Sequence, residues 1–299
     1  MEMQSTPSPT RIIERKLVTI HTPPARPGFL GPDHTARAVI QTGFSESDPF
    51  ILLMDDRLDK KGGQPVGGPH PHAGFETVTL LLEGTMGDGE HQLKAGDFQM
   101  MTAGSGIVHT ETIDRDTRMR LLQLWLNLPK KDRWASPRLQ DLSAERVPKV
   151  VEDGLAIHLY SGSLAGISSP VQNYAPVIIA DIRLQPGVTT VQHLPASYTA
   201  FLYAIEGSIQ VGDDQTLHPD QVGWLNRFAE PVLSELKLTA GASGGRIILY
   251  AGQPQGDPIV SHGPFIADSE DDIRRLYTEF RRGKMNHVSS LPDAQKMKY

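Results

Sequence analysis

Apolar residues in this chain fall in short runs set between closely spaced turns bearing Gly and Pro, a rhythm that predicts strands. Residues 11–22 predict a first strand centred on Leu17-Val18-Thr19-Ile20 and ended by Pro23-Pro24. Residues 38–41 and 49–54 predict two more. Ile51-Leu52-Leu53-Met54 is apolar on both faces and should be buried on both. Residues 55–66 are polar and Gly-bearing, which predicts a loop. Residues 77–82 predict a strand ended by Glu83-Gly84, and Gly87-Asp88-Gly89 is a hairpin turn signal. A short strand over 98–102 lies between the turns Ala95-Gly96-Asp97 and Ala103-Gly104-Ser105-Gly106. Residues 119–128 form the next strand, with Leu122, Leu124 and Leu126 on one face. Turns spaced roughly every 8 to 12 residues, with almost no helical period, predict an all-β sandwich or barrel.

Residues 129–148 are charged, Pro-punctuated and without period, and they predict the crossing between two domains. The pattern then restarts: strand 177–184, turn Gln185-Pro186-Gly187, strand 199–205, then Glu206-Gly207. An offset of 123 residues places Glu206-Gly207 on Glu83-Gly84 and His193 on His70, but Pro195 on His72. With a slip of one position, Leu233 falls near His109 and Glu235 near Glu111. The second half therefore keeps the strand rhythm and loses most of the polar set. Near the end, Ile273, Leu276, Tyr277 and Phe280 form a helical stripe capped by Asp268 or Ser269 and closed by Arg281, Arg282 and Gly283. Residues 284–299 read as a loose tail, and residues 1–10 as a disordered one.

Composition narrows the class. The 299 residues suit two domains. Lys plus Arg is 29 against 35 Asp plus Glu, a formal charge of −6, so no basic nucleic-acid footprint is expected. The densest cationic stretch, Arg274 to Lys284, is interleaved with acids and reads as a solvated helix face. The absence of cysteine excludes disulfides, Cys-ligated metals and thiol nucleophiles. No apolar run approaches the ~18 residues of a membrane span, and no signal-peptide core is evident, so a cytoplasmic location is expected.

The candidate chemistry lies between Gly67 and Thr112. His70-Pro71-His72 and His109-Thr110-Glu111 each hold two metal-capable side chains two residues apart. On a strand such pairs share a face, so three imidazoles and a carboxylate converge if both segments are strands. Neutral imidazole with carboxylate suits Fe(II), Mn, Co, Ni, Cu or Zn. Glu76 has the strand parity of His72 and rivals Glu111 for a fourth position. Pro71 stiffens its segment, and Gly104 and Gly106 allow the turn that delivers His109. Phe75 and Phe98 are candidates for an apolar pocket, and Met86, Met100 and Met101 read as core or rim. His21, His34, His91, His158, His193, His218, His262 and His287 read as surface or satisfied side chains.

The stretches HPHAGFETVTLLLEG (70–84), GDFQMMTAGSGIVHTE (96–111), LLQLWLNLP (121–129), DIRLQPG (181–187), GDPIVSHGPFIADSEDDI (256–273) and FRRGK (280–284) resemble the pirin family of the cupin superfamily. The resemblance implies a bicupin. A metal-bearing barrel is expected over 11–133, a degenerate barrel over 134–264, and a helix with a tail over 265–299. It implies iron, most simply Fe(II), on His70, His72, His109 and Glu111, with Glu76 behind them. It also implies one of two roles. The first is a quercetin 2,3-dioxygenase that opens a flavonol with O₂, with Glu111 or Glu76 as base. The second is an iron-dependent redox sensor acting through a protein partner. The chain departs from the family pattern in its short segment over 85–95 and in Met100, where pirins commonly carry Trp.

Overall fold

The computed structural model describes residues 13–62, 64–87, 92–113, 115–213 and 215–299. The tail at 1–10 and the tip of the Gly87-Asp88-Gly89 turn, with His91, lie outside the described residues. The strands gather into an eight-stranded and a ten-stranded sheet, the two barrels of an all-β bicupin. The first sheet runs Lys296–Lys298, Arg138–Leu142, Phe98–Thr102, Phe75–Glu83, Thr117–Asn127, Phe50–Lys60, His34–Ala38, Arg26–Pro27. The second is centred on the long strand Leu233–Gly252, which pairs with Val177–Leu184, Thr189–Pro195 and Thr199–Val211.

The long strands of the first sheet are buried on both faces, and the two faces do different work. Val78, Leu80, Leu122, Leu124 and Leu126 pack against Phe201, Tyr203, Ile248 and Tyr250 of the second sheet. Phe50 meets Phe201 edge-on at 5.2 Å between ring centroids. Leu52, Met54, Leu121, Gln123 and Trp125, on the other face, line a cavity inside the first barrel. The interior of the second barrel is filled by Ile182, Leu202, Leu236, Ile247 and Leu249 among others.

Several sequence expectations need correcting. The loop expected over 55–66 is a strand as far as Lys60, paired with Thr117–Asn127. Its most deeply buried charge is compensated rather than solvated. Asp55, 0% exposed, accepts two 2.9 Å bonds from Arg120, one from Arg57 at 3.0 Å and one from Tyr203 of the other barrel at 2.7 Å. Burial alone would raise the Asp55 carboxyl, but these donors hold it below the usual carboxylate range. Residues 129–148 contain the strand Arg138–Leu142, which belongs to the first sheet. The first expected strand breaks into Ile13–Glu14 and Leu17–His21, and both pair with the second sheet. The segment 284–299 is no loose tail: Lys296–Lys298 pairs in parallel with Arg138–Leu142, and Leu291 packs on Met101 and Ile107.

The helix Glu270–Arg281 forms as expected, with Ser269 as N-cap accepting from the Asp272 N–H at 3.2 Å. Asp268 is used otherwise, accepting at 2.7 Å from the fully buried Arg133. Arg133 also donates to the Gly74 carbonyl and to Asn127, which ties the helix start to the turn after His72. Among the described residues no helix is long and apolar enough to cross a membrane.

Candidate metal centre

His70–His72 and Ile107–His109 form a two-stranded antiparallel ribbon in which His70 faces His109 and His72 faces Ile107. The i, i+2 rule then brings three imidazoles to one side. Their candidate ligand atoms all lie within 4.8 Å of one another. The His70 ring stands 4.9 Å from His72 and 4.3 Å from His109, centroid to centroid.

Backbone supports hold this ribbon in place. Gly74 ends the first strand with φ +85°, and a Cβ there would stand 1.8 Å from the Ile266 carbonyl oxygen. Its N–H donates to Gly104 at 2.8 Å, joining the turns behind the two strands. The C-terminal segment braces the other side: Val108 N–H donates to the Asn286 carbonyl at 2.9 Å, and Thr110 Oγ1 lies 2.9 Å from His287 Nε2. His287, read from the sequence as a surface or satisfied side chain, is satisfied by Thr110 and Ser289 and abuts the strand that carries His109.

The donor set has the chemistry of a cation site. His70 Nδ1–H donates to the Gly68 carbonyl at 2.9 Å, leaving Nε2 with a lone pair. His109 Nε2 then donates to His70 Nε2 at 2.8 Å, so two ring nitrogens confront each other across a single proton. His72 Nδ1 is buried without a hydrogen bond of normal geometry, although the Pro264 carbonyl lies close enough to favour a proton on the ring. Burial, reinforced by the neighbouring His70, pushes the His72 imidazole down to about 3. Burial and the other two rings hold His109 well below the ordinary histidine value. Both are therefore neutral at physiological pH, the form in which an imidazole can bind a metal. These residues fit a metal that accepts imidazole nitrogen.

The expected carboxylates part company. Glu111 follows the end of its strand and stands outside the 4.8 Å cluster. The residue is half-exposed and is among those that line the cavity; burial raises its carboxyl above the usual range, His70 pulls it down and Asp56 pushes it further up. Glu76 is not in the site. The turn at Gly74 breaks the strand between His72 and Glu76, so the parity argument does not carry across it. Glu76 shares the face of Val78 and Leu80, accepts from Thr102 Oγ1 at 2.6 Å and lies 3.8 Å from Arg138. Neither phenylalanine expected in the pocket lines it: Phe98 stacks on Tyr160 at 5.5 Å between the sheets, and Phe75, packed with Ile51 and Ile266, meets the His72 ring at 5.2 Å.

The cavity holds about 380 Å³ and is lined by all three imidazoles, Glu111, Trp125 and a largely apolar wall from Leu30 to Leu121. That size and lining suit a small organic ligand. Trp125, 5.3 Å from the His72 ring, and Asp56 also line it without a reading of their own from the sequence; His34, read as a surface or satisfied side chain, is buried and bonded to Asp56. The alternation of Trp125 with Leu124 and Leu126 was the available signal for the first. In the second barrel, His193 faces Glu235 across paired strands, as His70 faces His109, a two-residue shift from the expected alignment. Both point outward, 55% and 36% exposed, with 3.5 Å between them.

Comparisons with known proteins agree with this geometry. Residues 32–126 match the family model described as Pirin, and residues 179–286 the one described as Pirin C-terminal cupin domain. Pirin from Homo sapiens is 35% identical over 260 residues, which span 83% of this chain and 86% of that protein. The crystal structure of GK1651 from Geobacillus kaustophilus is 33% identical with a TM-score of 0.73, covering 83% of this chain and 100% of that one. Quercetin 2,3-dioxygenase from Acinetobacter baumannii is 25% identical with a TM-score of 0.79, over 92% and 99%. With both cupin models matched in order and a relative this similar over most of both lengths, the chain belongs to the pirin family.

Proposed function

We propose that this chain is a metal-dependent dioxygenase that opens the central ring of quercetin or a related flavonol with O₂ and releases carbon monoxide. The observation that carries this reading is the placement of three imidazoles in the wall of an apolar cavity large enough for a small aromatic substrate. The likeness to a quercetin 2,3-dioxygenase over nearly the whole chain supports the choice of substrate class. His70, His72 and His109 hold the metal, and Fe(II) is the proposed occupant. Bound iron supplies a redox-active centre that activates the flavonol toward O₂. Trp125 and Phe75 pack edge-on against the His72 ring and hold its orientation. Glu111 takes the proton of the flavonol 3-hydroxyl. Its position in the wall outside the imidazole cluster suits a base more than a fourth ligand, and its raised carboxyl makes a stronger base once ionised.

The test is incubation of Fe(II)-loaded protein with quercetin under O₂, following loss of the flavonol absorbance band and trapping carbon monoxide. One carbon monoxide per flavonol consumed is expected. Fully loaded protein that consumes no flavonol would refute the proposal.

A further inference from the structure

The cavity has a second polar feature that the metal does not use. Asp56 lies in its wall, on Phe50–Lys60, opposite Leu121 on one neighbouring strand and Ala36 on the other. Its Oδ1 accepts a 2.8 Å bond from His34 Nε2. The direction of that bond is fixed: the Leu30 N–H donates to His34 Nδ1 at 3.1 Å, so the ring proton sits on Nε2. The His34 side chain is itself 0% exposed, and the backbone wraps it so closely that a Cβ on Gly28 would stand 2.0 Å from its Nδ1. Phe29 closes over the ring edge-on at 5.6 Å. The carboxylate is thus aimed by an imidazole that is aimed in turn by its own loop.

What the carboxylate lacks is a second partner. Among the described residues Asp56 Oδ2 accepts no hydrogen bond and no Lys or Arg pairs with Asp56. Gln123, another polar group of the wall, is occupied at both ends: it accepts from Thr79 at 3.0 Å and donates to the Val78 carbonyl at 3.2 Å. A ligand filling the cavity strips water from Oδ2, and a carboxylate left dry without a donor is costly. A ligand that brings its own hydroxyl avoids that cost, and one with only C–H at that place does not.

The geometry points to Asp56, positioned by His34, as the residue that selects polyhydroxylated flavonols, by accepting a hydrogen bond from a ring hydroxyl other than the one presented to the metal. This inference rests on the flavonol reading above and adds a specificity determinant to it.

The test compares two ligands with the same 3-hydroxyl and 4-carbonyl edge: quercetin, which carries further ring hydroxyls, and 3-hydroxyflavone, which carries none. Binding to Zn(II)-loaded protein without O₂ is read from the flavonol absorbance change. The parent is expected to prefer quercetin by about tenfold or more, the usual size of a hydrogen bond to a charged group. In Asp56→Asn, which keeps an oxygen for the His34 N–H, the preference should collapse to within about threefold while zinc content and melting midpoint hold. His34→Gln, which frees the carboxylate to turn, should give an intermediate loss. An undiminished preference in Asp56→Asn, or an equal loss of affinity for both ligands, would overturn the inference. A parent that cleaves quercetin yet binds both flavonols equally would overturn it and leave the proposed function standing. A parent that binds neither would remove both.

Discussion

The centre of this protein turns on which nitrogen of each imidazole is free. His70 commits Nδ1 to Gly68, and burial keeps His72 and His109 neutral. That neutrality has a consequence without metal. An unfolded chain protonates its histidines below about pH 6.5, while the folded chain leaves His72 unprotonated down to about 3. The unfolded state therefore binds more protons, and stability is lost as pH falls from about 6.5 toward 3. The stability of metal-free protein should fall below about pH 6.5 by up to roughly 1.4 kcal/mol per pH unit for each such imidazole, and the melting midpoint should drop with it. His72→Leu should flatten that slope, and an unchanged slope would show that His72 is not one of the groups responsible. At Glu111, the proposed base role separates from a ligand role by substitution. Glu111→Gln should retain the parent's iron content and lose flavonol turnover by about a hundredfold or more; loss of the iron would mark Glu111 as a ligand instead.

At the scale of elements, the strands that carry the three clustered imidazoles could be read from the sequence because their signals are local. HPH and the turn at Gly104 to Gly106 state the spacing, and the i, i+2 rule does the rest. Where a reading depended on partners far away in the chain, it failed. Asp55, Asp56 and Arg57 look like a loop until Arg120 and Tyr203 are known to satisfy Asp55, His34 to bond Asp56, and Asp55 to accept from Arg57. Glu76 looks like a ligand until the Gly74 turn is seen to break the strand. The C-terminal segment looks loose because its apolar residues are few and scattered, yet Leu291 is buried and Asn286 bonds to the strand that carries His109. Removal of residues 286–299 should therefore do more than trim a tail. It exposes the edge at Arg138–Leu142 and frees Val108, so both the melting midpoint and the iron affinity should fall. Full iron retention in that truncation would deny the brace.

For the whole molecule, the two barrels share one core. Chain order suggests a boundary near residue 133, but Leu17–His21 lies in the second sheet and Lys296–Lys298 in the first, so each end of the chain is built into the barrel of the opposite half. Exchange across more than 150 residues leaves no mark in local periodicity, which is why the sequence suggested consecutive units. Tyr203 is one polar link between them, its hydroxyl on the buried Asp55 amid packed aromatic rings, and Arg37 paired with Asp220 is another. Tyr203→Phe should cost about 1 to 2 kcal/mol and shift a single unfolding transition, with calorimetry and fluorescence moving together. Two separate transitions would mean that the barrels unfold independently.

The proposed centre requires that His70, His72 and His109 hold one metal ion together. Iron content per chain after anaerobic loading and desalting measures that directly in the parent and in His109→Ala. One iron per chain in the parent and a large loss in a variant that still melts cooperatively is the expected result. Equal iron in both proteins would contradict it.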